Sequence, residues 1–207
     1  MSYVLENWYI IPIFIVLIAA TVFAWIKAIA SGQRRKEERE RIIAAIEKEK
    51  ALRKEFATLD DSIFSDNSID SEKLLFGVAM NIQMSVEKLD DMVSEFNKLN
   101  EVKRNVYALS FIFEDSKYTA LSEFFNINGE PLLSQAKNAV DTVIGGKFAE
   151  IFNKQYVMYD DNNEEVSFDA DIIAQIDNEY ASFLADNKET VLNTVSRYIV
   201  ANKSMIL

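Results

Sequence analysis

The chain of 207 residues has neither cysteine nor histidine. The absence of cysteine rules out disulfides, thiol nucleophiles and thiolate ligands. The absence of histidine removes Ser-His and Cys-His catalytic pairs and a favoured zinc ligand. General acid–base work would fall to carboxylates, lysine or tyrosine. The sequence also lacks a phosphate-binding loop, a Rossmann glycine pattern and a nucleophile elbow. Adjacent carboxylates occur at Asp60-Asp61, Asp90-Asp91, Asp160-Asp161 and Glu164-Glu165. On a helix such neighbours diverge by about 100°, so these pairs do not make a shared-proton dyad. A non-catalytic protein without a cofactor is expected.

The acidic loop 160–171 (DDNNEEVSFDAD) has the oxygen density of a calcium site. An EF-hand loop needs glycine at position six and glutamate at position twelve. Counting from Asp160, those positions hold Glu165 and Asp171; counting from Asp161, they hold Val166 and Ile172. Neither frame fits, so the stretch reads as a solvated loop and no metal is expected.

Net charge is −11 but unevenly spread. Residues 1–30 are neutral, residues 31–56 hold nine basic side chains against six acidic ones, and residues 57–207 hold 12 against 26. A segment at −14 repels phosphate backbones, so no direct nucleic-acid partner is expected, and basic proteins are its natural electrostatic partners. The plainer reading is that the charge serves solubility.

From Trp8 to Ile26, WYIIPIFIVLIAATVFAWI, 19 consecutive residues carry no charge. As a helix they would extend about 28 Å, close to a hydrocarbon core of about 30 Å. Trp8, Tyr9 and Trp25 suit the two interfaces. Pro12 falls in the first turns, where a missing donor does least harm. Met1–Asn7 has no Lys or Arg, whereas Lys27, Arg34, Arg35, Lys36, Arg39 and Arg41 crowd the other side. The positive-inside rule then places residues 1–7 outside, a transmembrane helix over 8–30, and the rest in the cytoplasm under the plasma membrane. A cleaved signal peptide would need a positive start and a shorter apolar core, and this segment has neither.

The remainder predicts an all-α fold, because no stretch alternates at period two. Residues 31–58 form a charged stalk helix in which Ile42, Ala45, Leu52 and Phe56 make a loose heptad interrupted by Glu49. Self-association through 33–57 is the structural alternative. The polar stretch 59–70 reads as a linker, and 71–207 as a compact acidic domain of about six helices. Leu74, Leu75, Val78, Ile82, Val86, Leu89, Val93, Phe96 and Leu99 share one face of a helix over 71–99, with Asp70 or Ser71 as N-cap. Further helices are expected over 101–115, with Val102, Val106, Leu109 and Phe113 inward, and over 117–127, ending at a left-handed Asn128-Gly129 cap. Pro131 suits the first turn of the next, which Gly145-Gly146 ends near 144. The last three span 147–156, 169–185 and 187–202, the final one opening on the capping-box spacing Asp186-x-x-Glu189.

Glu123-Phe124-Phe125-Asn126-Ile127-Asn128-Gly129-Glu130 resembles the Q-F-F-x-N-x-x-G-E element of a bacterial family typified by a DNA-mimic protein. The helix with Ala136, Ala139 and Ile144-Gly145 looks like that family's alanine-rich helix. Asp177-x-x-Tyr180 and Arg197-Tyr198-Ile199-Val200-Ala201-Asn202 are similar to its terminal helices. The resemblance covers roughly 74–203. It departs where the family usually has Asn-Gly-Gly-Phe and this chain reads Asp115-Ser116-Lys117-Tyr118. The resemblance implies a helical, acidic, non-catalytic module whose carboxylates imitate DNA phosphates toward a basic regulator. The candidate protein-binding surface comprises Glu87, Asp90, Asp91, Glu95, Glu101, Asp160, Asp161, Glu164 and Glu165. The motif residues Glu123, Phe124, Phe125, Asn126, Asn128, Gly129, Tyr180, Arg197 and Tyr198 are expected to be structural, since aromatic residues at helical spacing are usually core.

Overall fold

A computed structural model of the chain describes residues 39–40, 42–66, 69–86, 91–159 and 169–207. The expected transmembrane segment 8–30 lies outside the described residues. Among those described, no strand occurs, and no helix is long and apolar enough to cross a membrane. The chain divides into two compact units, residues 1–51 and 52–207. In chain order the helices are α1 (42–55), α2 (Asp61–Ser65), α3 (Ser71–Val86), α4 (Met92–Lys98) and α5 (Glu101–Ser116). After them come α6 (Leu121–Ile127), α7 (Leu132–Ala139), a π-helical turn (Val140–Ile144), α8 (Gly146–Tyr159), α9 (Ala170–Ala201) and α10 (Lys203–Ile206).

The centre of the second unit is α5, which packs against α3, α6 and α7, while α9 packs against α3 and α8. The inward positions expected of α5 are all buried: Val102, Val106, Leu109 and Phe113. Asn100 caps the helix, its side-chain oxygen accepting from the Lys103 amide at 2.9 Å. Behind α5 the rings of Phe124, Phe125, Phe148 and Phe152 fill the interior, with Phe125 and Phe152 at 5.1 Å between centroids.

Several boundaries differ from expectation, each for a local reason. The helix expected over 71–99 is not continuous: α3 is described as far as Val86, Asp91 is extended, and α4 starts afresh when the Asp91 carboxylate accepts from the Ser94 amide at 3.0 Å. That new start rotates the apolar register. Phe96 points inward, whereas Val93, expected in the core, is 53% exposed. Leu89 lies outside the described residues. The helix expected from 117 begins at Leu121, because Lys117 and Tyr118 adopt left-handed φ angles of 47° and 61° at the end of α5. The left-handed cap expected at Asn128-Gly129 does not form; Asn128 is extended (φ −106°, ψ 155°). Pro131 precedes α7 rather than lying inside it. The stop at Gly145 does form, at φ 66° and ψ −163°, a region that only glycine enters freely.

The two C-terminal helices expected to part at Asp186 are one, α9, of 32 residues. No proline or glycine interrupts it, and Leu184 and Val191, two turns apart, are both buried. The Asp186-x-x-Glu189 spacing is therefore mid-helix and caps nothing. The stretch 59–70 contains α2, whose Phe64 is buried and whose N-cap is Asp60. Just before it, Phe56 is fully buried and Leu52 packs against the same core.

Candidate functional site

Two elements far apart in sequence meet at the start of α3 and the middle of α9. The Asp70 carboxylate caps α3, accepting from the Lys73 amide at 2.7 Å. Ser71 Oγ donates to Asn193 Oδ1 at 2.6 Å, tying that cap to α9. Glu72 then has both oxygens committed: Oε1 accepts from the Tyr118 hydroxyl at 3.0 Å, and Oε2 pairs with Lys188 Nζ at 3.0 Å. Lys188 Nζ also stands 3.7 Å from the centroid of the Tyr118 ring, well inside cation–π range. The ring is braced from behind by Phe113, stacked at 5.6 Å. Burial first, and then the Glu72 carboxylate, hold the Tyr118 phenol above its ordinary range, so it remains a proton donor.

Beside this cluster opens a groove of about 650 Å³, bordered by Asp70, Ser71, Glu72, Asp186, Lys188 and Glu189. Four carboxylates face one ammonium there. Asp186 and Glu189 are exposed, and neither has a hydrogen-bond or ion-pair partner among the described residues. Among the described residues no group of three or more acidic side chains is arranged to hold a metal ion.

The acids expected to form the binding surface are placed otherwise. Asp91 is spent on the cap of α4, Glu95 pairs with Lys98 at 2.5 Å, and Glu101 in the first turn of α5 accepts from Asn138 at 3.4 Å. None of the three borders the groove. Glu87, Asp90, Asp160, Asp161, Glu164 and Glu165 lie outside the described residues. Sequence reasoning missed the groove because it assigned Asp70 and Asp186-x-x-Glu189 to helix caps. Nothing local links two acidic pairs more than a hundred positions apart.

The motif residues mostly hold the interior together. Phe124 and Phe125 are buried edge to face, with centroids 5.2 Å apart. Asn128 donates to Asp115 at 2.6 Å and to the Phe124 carbonyl at 2.8 Å. Asn126 accepts from the Tyr159 hydroxyl at 2.9 Å. The Tyr180 hydroxyl meets Ser116 Oγ at 2.8 Å in the core, and Tyr198 accepts from Asn105 at 3.0 Å. Glu123, Gly129 and Arg197 are exposed. Asp177, one turn before Tyr180, accepts from both the amide and the hydroxyl of Ser122, at 2.8 and 2.5 Å, and so anchors the start of α6 on α9. Asp177→Ala leaves the buried Ser122 amide unpaired, which costs about 1–3 kcal/mol. Urea unfolding of the full chain should show that loss, and a loss below about 0.5 kcal/mol would remove Asp177 as the anchor.

Fold and groove together define an all-α domain with a cleft bordered by acidic side chains. No family model, curated protein or solved structure matches the chain.

Proposed function

We propose that the chain is a membrane-tethered interaction module without catalysis, whose acidic helical domain receives a basic protein on the cytoplasmic side of the plasma membrane. The observation that carries this reading is the groove at the start of α3, where Asp186 and Glu189 lack partners among the described residues and the bordering carboxylates outnumber the ammonium four to one. The −14 charge of residues 57–207 supports it by steering cationic partners inward. The uncharged stretch 8–26 with its one-sided basic flank supports the tether and its orientation. The specific form, suggested by the resemblance to the DNA-mimic family, is a basic regulator bound in place of DNA.

The test is capture from lysate by the full chain in detergent micelles. Basic proteins should be retained at about 0.05 M salt and released toward 1 M, where the Debye length shrinks to about 3 Å. Partners that are neutral or acidic, or that survive 1 M salt, would defeat the reading. A reporter fused after Leu207 should be inaccessible from outside intact cells.

A second reading, assembly through the stalk, draws on Ile42, Ile43 and Ile46, which are 51%, 55% and 44% exposed. It loses two of its heptad positions, since Phe56 is core and Leu52 packs on it. Cross-linked oligomers that persist in high salt and vanish in Ile42→Ser/Ile46→Ser would favour it.

A further inference from the structure

We propose that the groove takes a lysine or arginine side chain of its partner onto the Tyr118 ring and the Glu72 carboxylate, and that Lys188 holds that place while no partner is bound. The inference rests on the reading of the groove as a partner site and adds the chemistry of recognition.

The first ground is that a cation already occupies the subsite. Lys188 Nζ lies 3.7 Å over the Tyr118 ring and 3.0 Å from Glu72 Oε2. An aromatic face closed on one side by a carboxylate is selective for ammonium and guanidinium groups. The second ground is that the occupant is partly exposed. The Lys188 side chain is 39% exposed and reaches the ring on a flexible four-carbon stem, so it can swing into solvent. The Tyr118 ring is held in place by its neighbours. Phe113 stacks behind Tyr118, the Tyr118 hydroxyl donates to Glu72, and the left-handed Lys117-Tyr118 turn aims the ring at α9. The third ground is room: the groove of about 650 Å³ opens directly beside Lys188. Asp186 and Glu189 border that opening with no partner among the described residues. An incoming cation gains these two carboxylates in addition to Glu72, whereas Lys188, their close neighbour on α9, is badly placed to pair with them.

The experiment titrates a fluorescent octa-lysine peptide against the full chain in detergent micelles at about 0.1 M salt. Lys188→Met vacates the subsite; Lys203→Met removes the same charge elsewhere. Lys188→Met should bind the peptide about ten-fold tighter than Lys203→Met does. Adding Glu72→Gln to Lys188→Met should abolish that advantage, and Tyr118→Leu should do the same where circular dichroism shows its helices intact. Equal affinities in Lys188→Met and Lys203→Met would overturn the inference while leaving the acidic-module reading standing. Absence of peptide binding in every variant would overturn both.

Discussion

Phe56→Ala should lower the stability of the helical domain by about 3–5 kcal/mol, the usual cost of deleting a fully buried aromatic ring. Phe56 has no exposed surface and belongs to the same core as Leu75, Val78 and Val106. Its backbone is held as firmly as its ring. The Phe56 amide donates to the Leu52 carbonyl at 2.9 Å, and Asn81 of α3 donates to the Phe56 carbonyl at 2.8 Å. The compact unit therefore begins at residue 52, ahead of the polar stretch 59–70. Denaturant titration of the full chain, followed by helical circular dichroism, measures the effect. A fragment starting at residue 57 should lose a similar amount, since it discards the same ring. Total stabilities of such domains are about 5–15 kcal/mol, so either change should visibly raise the unfolded fraction at 37 °C. A loss under about 1 kcal/mol would place Phe56 outside the core.

Gly77→Ala attacks the same contact from the opposite side. A methyl group at Gly77 would fall inside the van der Waals radii of Phe56 Cε1, Cε2 and Cζ. In an ordinary exposed helix, glycine to alanine is stabilising by about 1 kcal/mol. Here steric overlap should win, because a packed ring cannot yield without displacing its neighbours. The expected net loss is about 1–3 kcal/mol. The decisive measurement is the double variant. Phe56→Ala removes the obstruction, so Gly77→Ala made on that background should cost nothing or stabilise slightly. That non-additivity is the signature of direct contact. Additive losses would mean that the two residues do not touch.

The residue spacing predicts the inward face of α5 because helix periodicity is local information. Val102, Val106, Leu109 and Phe113 recur every three or four positions and are all buried. The Gly145 stop is legible for a similar reason: its backbone needs a positive φ, which other residues resist. The buried Phe124-Phe125 pair could also be expected from its place in an aromatic, helix-forming run.

Where the reading went astray, two local signals competed and tertiary packing chose between them. Asp186-x-x-Glu189 has the spacing of a cap, yet Leu184 and Val191 bury the same face on either side and keep α9 continuous. Val93 fits the stripe of α3, but the cap at Asp91 restarts the helix and turns it outward.

By itself the sequence determined the helical class, the inward face of α5, the glycine stop and the uneven distribution of charge. All of these follow from the identity of a residue or its relation to neighbours within a turn or two. Only the tertiary structure decided that Phe56 meets Gly77, that α9 runs unbroken, and that Asp70 and Glu72 face Asp186 and Glu189 across one groove. Such pairings depend on which helix faces exclude water together. That is a property of the whole packed core, and no interval along the chain encodes it.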